Sequence, residues 1–143
     1  MIMEPTKKEL QELVASMPQV EVKGILTEEQ EKNLILKFQE GDLTALSELL
    51  EANIRFVITI AKLYENECYF LEMREIIAAG TEGLVLAAEK YPLDADFRFL
   101  SYAIFWIRQT IMASLTQQWA TLIPSGKVLI VNNAVEKISA STA

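Results

Sequence analysis

Along the chain, apolar residues recur three and four positions apart almost throughout, and the two-residue alternation of a half-buried strand is nearly absent. That pattern predicts an all-α fold, a compact bundle of helices. A first short helix is expected from Lys7 to Ser16, followed by a linker that Pro18 and Gly24 interrupt. Thr27, with Gln30 three residues on, has the pattern of a capping box and opens a helix through Leu34, Ile35 and Phe38 that stops at Gly41. Asp42 is placed to cap the next helix, whose Leu46, Leu49 and Leu50 form an apolar stripe ahead of Asn53. Beyond it Ile54, Val57, Ile58, Ala61 and Tyr64 recur at helical spacing, and these two segments are expected at the centre of the bundle. Glu65 to Leu71 reads as a loop and Met73 to Tyr91 as a helix that tolerates Gly80 and Gly83. Each glycine costs helix stability of about 1 kcal/mol relative to alanine, so both call for a packing or bending reason. Pro92 to Asp96 breaks the pattern, Phe97 to Gln118 reads as a long aromatic-rich helix, and Pro124 marks a further boundary. Val128, Val131, Val135 and Ile138 predict one more helix. The resulting division is an N-terminal helix and linker over 1–26, a main helical domain over 27–124, and a C-terminal helix, or the start of a truncated next domain, over 125–143.

Composition narrows the function. Hydrophobic residues make up 51% of the chain and charged residues 23%, with no apolar run of membrane-spanning length. Met1 to Gln11 carries Glu4, Lys7, Lys8 and Glu9 and no apolar stretch of signal-peptide length, so a soluble, cytoplasmic protein is expected. The one cysteine, Cys68, and the absence of histidine exclude a disulfide framework, a zinc cluster and a histidine-dependent triad. No catalytic residue, metal or cofactor is expected; Glu28, Glu29 and Glu31 are more simply a solvated first turn favoured by the helix dipole. The net charge of −7 argues against gripping duplex DNA by bulk electrostatics. Unpaired bases, by contrast, are held by stacking and pockets and need only a local basic path.

The chemistry concentrates in Phe97-Arg-Phe-Leu-Ser-Tyr-Ala-Ile-Phe-Trp-Ile-Arg-Gln109. Tyr102, Phe105, Trp106 and Gln109 fall at i, i+3, i+4 and i+7, so a helix presents them along one face. Periodicity alone favours a buried core stripe, since aromatic side chains bury large areas. The functional alternative is exposed rings stacking on unpaired bases, with Arg98 and Arg108 near phosphate and Gln109 reading a base edge.

This segment resembles the helix with which primary sigma factors of the sigma-70 family separate promoter strands at the minus-ten element. Ala52-Asn-Ile-Arg-Phe-Val57, followed by Ile60-Ala-Lys-Leu-Tyr64, resembles the preceding helix of that family, and Gly83-Leu-Val-Leu-Ala-Ala-Glu-Lys-Tyr91 the end of its polymerase-docking helix. The matches come in the family's order, and a weaker likeness runs from Lys7 to Lys137, covering the region 2 core with part of region 1.2 and the start of region 3. The resemblance implies a transcription initiation factor that binds core RNA polymerase and melts the minus-ten element by capturing bases of the non-template strand. Phe105 and Trp106 would form the aromatic dyad at the upstream edge of the melted DNA, and Tyr102 would stack on a flipped base. Phe97, Arg98, Phe99 and Ser101 would line the strand's path, Asn53 would help form a second base pocket, and Gln109 would face the last paired bases. Glu75, Ile76 and Glu82 would dock on a coiled coil of the polymerase's largest subunit.

The chain also departs from the family. Ala78 and Ala79 stand where polar and acidic residues are common, and the loop through Cys68 to Met73 is longer by about two residues. Pro92-Leu-Asp-Ala-Asp96 replaces a loop that usually carries arginine and glycine. Met112 and Ala113 lack the polar groups that often contact the duplex. These departures motivate an alternative: a degenerate sigma-like module that engages polymerase or an anti-sigma protein without opening DNA. Nothing resembles the helix-turn-helix module of complete sigma factors, so the chain is expected to be a fragment or a short stand-alone derivative. Aromatic exposure separates the readings: Phe99 and Tyr102 are expected to be partly packed, with Trp106 more accessible, because a wedge needs a rigid base.

Overall fold

The computed structural model describes all residues except 1–3, 23–24, 68–70, 123–127, 132–133 and 138–143, with side chains described as far as Gln117. Gly24, Cys68, Pro124, Ile138 and the tail Ser139 to Ala143 therefore lie outside the described residues. Among the described residues five helices form the domain, α1 (Lys7–Ala15), α2 (Glu28–Gln39), α3 (Leu43–Leu63), α4 (Met73–Lys90) and α5 (Phe99–Leu122), and two short strands follow, β1 (Val128–Val131) and β2 (Ala134–Lys137). The fold is all-α in class, as the spacing predicts.

Local chemistry sets the helix ends. Thr27 accepts from the Gln30 amide while the Gln30 side chain accepts from the Thr27 amide, so two otherwise orphaned donors are satisfied together at the start of α2. Thr6 and Glu9 repeat the arrangement at α1. The chain leaves α2 through Gly41, whose φ of +106° lies in the region that favours glycine, and Asp42 then accepts from the Thr44 and Ala45 amides to open α3.

Two expectations change. The stripes before and after Asn53 belong to one continuous helix, α3, because Asn53 turns its amide onto the Leu49 carbonyl at 2.9 Å and sits buried instead of breaking the helix. The helix expected from Val128 is instead an antiparallel hairpin that pairs Val128 with Lys137 and Val131 with Ala134. Val128, Ile130 and Val131 are β-branched, and the spacing of valines that suggests a helix is equally met by two four-residue strands.

The core lies between α4 and α5, with α3 packed on α4 and α1 on α5. Gly80 and Gly83 explain how closely α4 and α5 approach. A methyl group on Gly83 would lie 2.6 Å from the Ile107 Cα and from the Trp106 carbonyl oxygen, both backbone atoms that cannot yield. One on Gly80 would lie 2.9 Å from the Val57 side chain. Both glycines serve packing, and the contact of Gly83 fixes the height of Trp106 against α4. No described helix is long and apolar enough to cross a membrane.

Candidate nucleic-acid interface

The first turns of α5 are built into an aromatic cluster. Tyr102 stacks on Phe97 with centroids 5.8 Å apart, meets Tyr91 and Trp106 edge-on at 5.7 and 6.2 Å, and Phe99 packs edge-on against Tyr91 at 5.5 Å. Tyr102 is 1% exposed, Trp106 4% and Phe99 0%. This corrects the expectation that Trp106 is the accessible ring and that Phe99 and Tyr102 are only partly packed. α4 covers this part of α5 from one side and the segment ahead of α1 from another, so the stripe at i and i+4 faces inward. Phe97 and Arg98, just ahead of α5, and Ser101, Phe105 and Gln109 on it keep partial exposure. Phe105 rests edge-on against Trp106 at 5.3 Å, and the Lys90 ammonium lies 5.5 Å from the Trp106 ring centre.

The tyrosine hydroxyls of the cluster are held by the protein's own groups. The Tyr102 hydroxyl donates to the Glu4 carboxylate, 2.7 Å from Oε2, with the Lys90 carbonyl 3.2 Å away. Burial, and then the Glu4 carboxylate, push the Tyr102 hydroxyl above its ordinary pKa of 10. Tyr91 donates to the Phe97 carbonyl, and burial, with the charges of Glu31 and Glu28, raises it to about 12. Arg98 lies 3.5 Å from Glu28 and 3.6 Å from Glu31. Glu31 is 1% exposed, and burial raises its pKa although the Arg98 charge and the Phe99 amide oppose the shift. The two acids of the preceding loop differ: Asp94 is exposed, whereas Asp96 bonds Lys7 at 3.1 Å, which lowers its pKa. Arg108 donates to the Tyr64 hydroxyl at 2.6 Å, so it braces the end of α3 instead of standing free near a phosphate path.

Asn53 faces a separate cleft of about 450 Å³, bordered by Val20, Glu21, Arg55, Phe56 and Thr59. Asn53 is 2% exposed, and its Oδ1 has no hydrogen-bond partner among the described protein groups. A hollow of about 250 Å³ lies among Glu28, Glu31, Tyr91, Phe97 and Arg98, and a third, of about 440 Å³, runs between α4 and α5 past Glu75, Ala79, Glu82 and Thr110. Glu82 is exposed and Glu75 half-buried on that edge, whereas Ile76 is 1% exposed and points into the core. Ile76 is thus a packing residue, which corrects its expected place at a docking surface.

Glu4 and Lys7 emerge only from the structure, and Glu31, expected in a solvated first turn, is instead buried beside Arg98. Glu31 leaves a faint trace in the sequence, one turn before the buried Ile35 on the face α2 turns inward. Glu4 and Lys7 leave none, because their partners lie 98 and 89 residues away.

Fold and site together define a small helical domain with an aromatic cluster at the head of one long helix, flanked by hollows on two sides. Residues 49–121, from within α3 nearly to the end of α5, match the family described as Sigma-70 region 2. The match covers half of the chain, which belongs to that family. The chain is also 38% identical over 96 residues to the RNA polymerase sigma-C factor of Myxococcus xanthus, a stretch amounting to 67% of this chain and 32% of that protein. It therefore spans about a third of the length of this curated relative.

Proposed function

We propose that this domain takes part in transcription initiation without catalysing a reaction itself. In this reading it binds core RNA polymerase and holds unpaired bases of the minus-ten non-template strand along the head of α5. The observation that carries the proposal is the half-exposed row of Phe97, Arg98, Ser101, Phe105 and Gln109 within the Sigma-70 region 2 match. Phe105 offers a partly exposed ring with the buried Trp106 as its backing, and Arg98, two turns earlier and paired with Glu28 and Glu31, is the cation ahead of α5. The cleft that Asn53 borders is assigned to a second base; the Asn53 Oδ1 itself is buried, so the contact to that base comes from the exposed rim of the cleft. Base capture offsets the unpairing cost of a few kcal/mol per base by stacking and pocket contacts. Glu75 and Glu82 on α4 supply the polymerase-facing side, which their shared edge leaves open.

Phe105→Ala tests the proposal because it removes a partly exposed ring; since Phe105 also packs against the core beside Trp106, denaturant unfolding accompanies the binding assay. Stacking of about 1–3 kcal/mol per base predicts that affinity for a single-stranded minus-ten oligonucleotide falls roughly tenfold or more. Unchanged affinity would remove Phe105 from the interface.

The burial of Tyr102 and Trp106, and the grip of Glu28 and Glu31 on Arg98, favour a second reading: a sigma-like module that binds polymerase or an anti-sigma protein without opening DNA. Promoter-dependent initiation by this chain with core polymerase alone would eliminate it.

A further inference from the structure

The cations nearest the aromatic head of α5 are engaged within the protein. Arg98 pairs with Glu28 and Glu31, Arg108 donates to the Tyr64 hydroxyl, Lys7 pairs with Asp96, and Lys90 lies against the Trp106 ring. A strand whose bases are captured still carries its phosphates, and in a molecule of net charge −7 unengaged cations have to meet them. Arg55 and Lys62 on α3 are such cations. Both are exposed, and neither has an ion pair among the described residues. Arg55, Thr59 and Lys62 fall at i, i+4 and i+7, so they share one face of α3 over about 10 Å. That face changes sign along its length. The exposed Glu48 and Glu51 occupy it ahead of Arg55, whereas the sequence from Arg55 to Lys62 holds no acid. Arg55 and Thr59 also border the Asn53 cleft, whose lining from the linker includes Glu21.

We propose that the second half of this α3 face, with Arg55 and Lys62, is the track for the sugar-phosphate backbone of the strand whose base enters the Asn53 cleft. This assignment rests on the base-capture reading above. Arg55 meets a phosphate at the rim of the cleft, where its planar guanidinium can take two phosphate oxygens at once. The Thr59 hydroxyl is turned back onto the Arg55 carbonyl at 2.8 Å, so the two cations and not Thr59 make the contacts. Lys62, two turns on, meets a further phosphate of the same strand. The charges give the strand its course: Glu48 and Glu51 repel it from the first half of α3 and Glu21 from the linker, which leaves the direction from Arg55 to Lys62.

The salt dependence of binding tests this, read by anisotropy of the full chain with a fluorescent single-stranded minus-ten oligonucleotide at stepped salt concentrations. Each phosphate contact on a single strand contributes about 0.7 to the slope of log affinity against log salt. Arg55→Ala and Lys62→Ala are each expected to lower that slope by about 0.7, and the double variant by about 1.4. Both side chains are exposed and alanine favours the helix, so the thermal midpoint is expected to stay in place. Lys37→Ala removes another exposed cation, in the last turn of α2 beside the start of α3 and about 20 Å from Arg55 along the helix. It is expected to leave the slope as it is. An unchanged slope in either Arg55→Ala or Lys62→Ala overturns the track, as does an equal loss in Lys37→Ala, which is net charge alone. No binding of the oligonucleotide by the wild type overturns base capture instead and, with it, the ligand assigned to the track.

Discussion

Gly83 shows how one side chain's absence decides what the site looks like. Because Ile107 Cα and the Trp106 carbonyl lie where a methyl group would go, Gly83→Ala must push α5 off α4. Overpacking of this kind typically costs about 1–3 kcal/mol, and a backbone contact belongs at the upper end. Thermal unfolding is expected to show that loss, with Trp106 gaining exposure. Tyr102 and Trp106 carry a related consequence. Truncating either to alanine empties core volume and is expected to destabilise the domain by about 3–5 kcal/mol, so denaturant unfolding must accompany any binding assay on them. Glu31 makes stability depend on pH. Burial raises its pKa above the ordinary 4.5, so the folded protein holds that proton more tightly than the unfolded chain. The stability this adds is complete below pH 4.5 and is lost as pH rises through the folded-state value. Compared with Glu31→Gln, the wild type is expected to lose stability over that rise in denaturant titrations at stepped pH; parallel profiles would show that Glu31 is not the group responsible.

At the level of elements, helices with a local signature were legible in the sequence. The capping box at Thr27, the stop at Gly41 and the Asp42 cap are set by residues within four positions of one another, and the structure keeps each. Thr27→Ala, which unties that cap, is expected to lower the thermal midpoint by an amount corresponding to about 1 kcal/mol. Where the sequence misleads, the apolar spacing fits more than one local structure, or the contact that decides lies outside the segment. Asn53 reads as a break between two helices, yet the buried bond to Leu49 carries α3 through it. The valine spacing after Val128 reads as a helix, yet β-branched residues pair across a hairpin. In the aromatic segment, spacing places Tyr102 and Trp106 on one face of α5 but does not say which way that face points. The answer comes from α4 and from Glu4, distant in sequence, and the face points inward.

Across the whole molecule, family and fold were readable because three segments in fixed order each carry many residues of a pattern. The working state of the site was not, because it depends on pairings such as Glu4 with Tyr102, Lys7 with Asp96 and Glu31 with Arg98, which no local pattern encodes. With a net charge of −7, the molecule has little general attraction for duplex DNA. Its proposed affinity for DNA therefore has to come from the partly exposed ring of Phe105, the cations Arg98, Arg55 and Lys62, and the hollows beside α5. That requirement separates strand capture from nonspecific binding. The most direct measurement is a pair of anisotropy titrations of the full chain, one with a single-stranded non-template minus-ten oligonucleotide and one with the same sequence as duplex. Base capture predicts saturable binding to the single strand, at least about tenfold tighter than to the duplex. Equal affinity for the two, or no binding to the single strand, would contradict it.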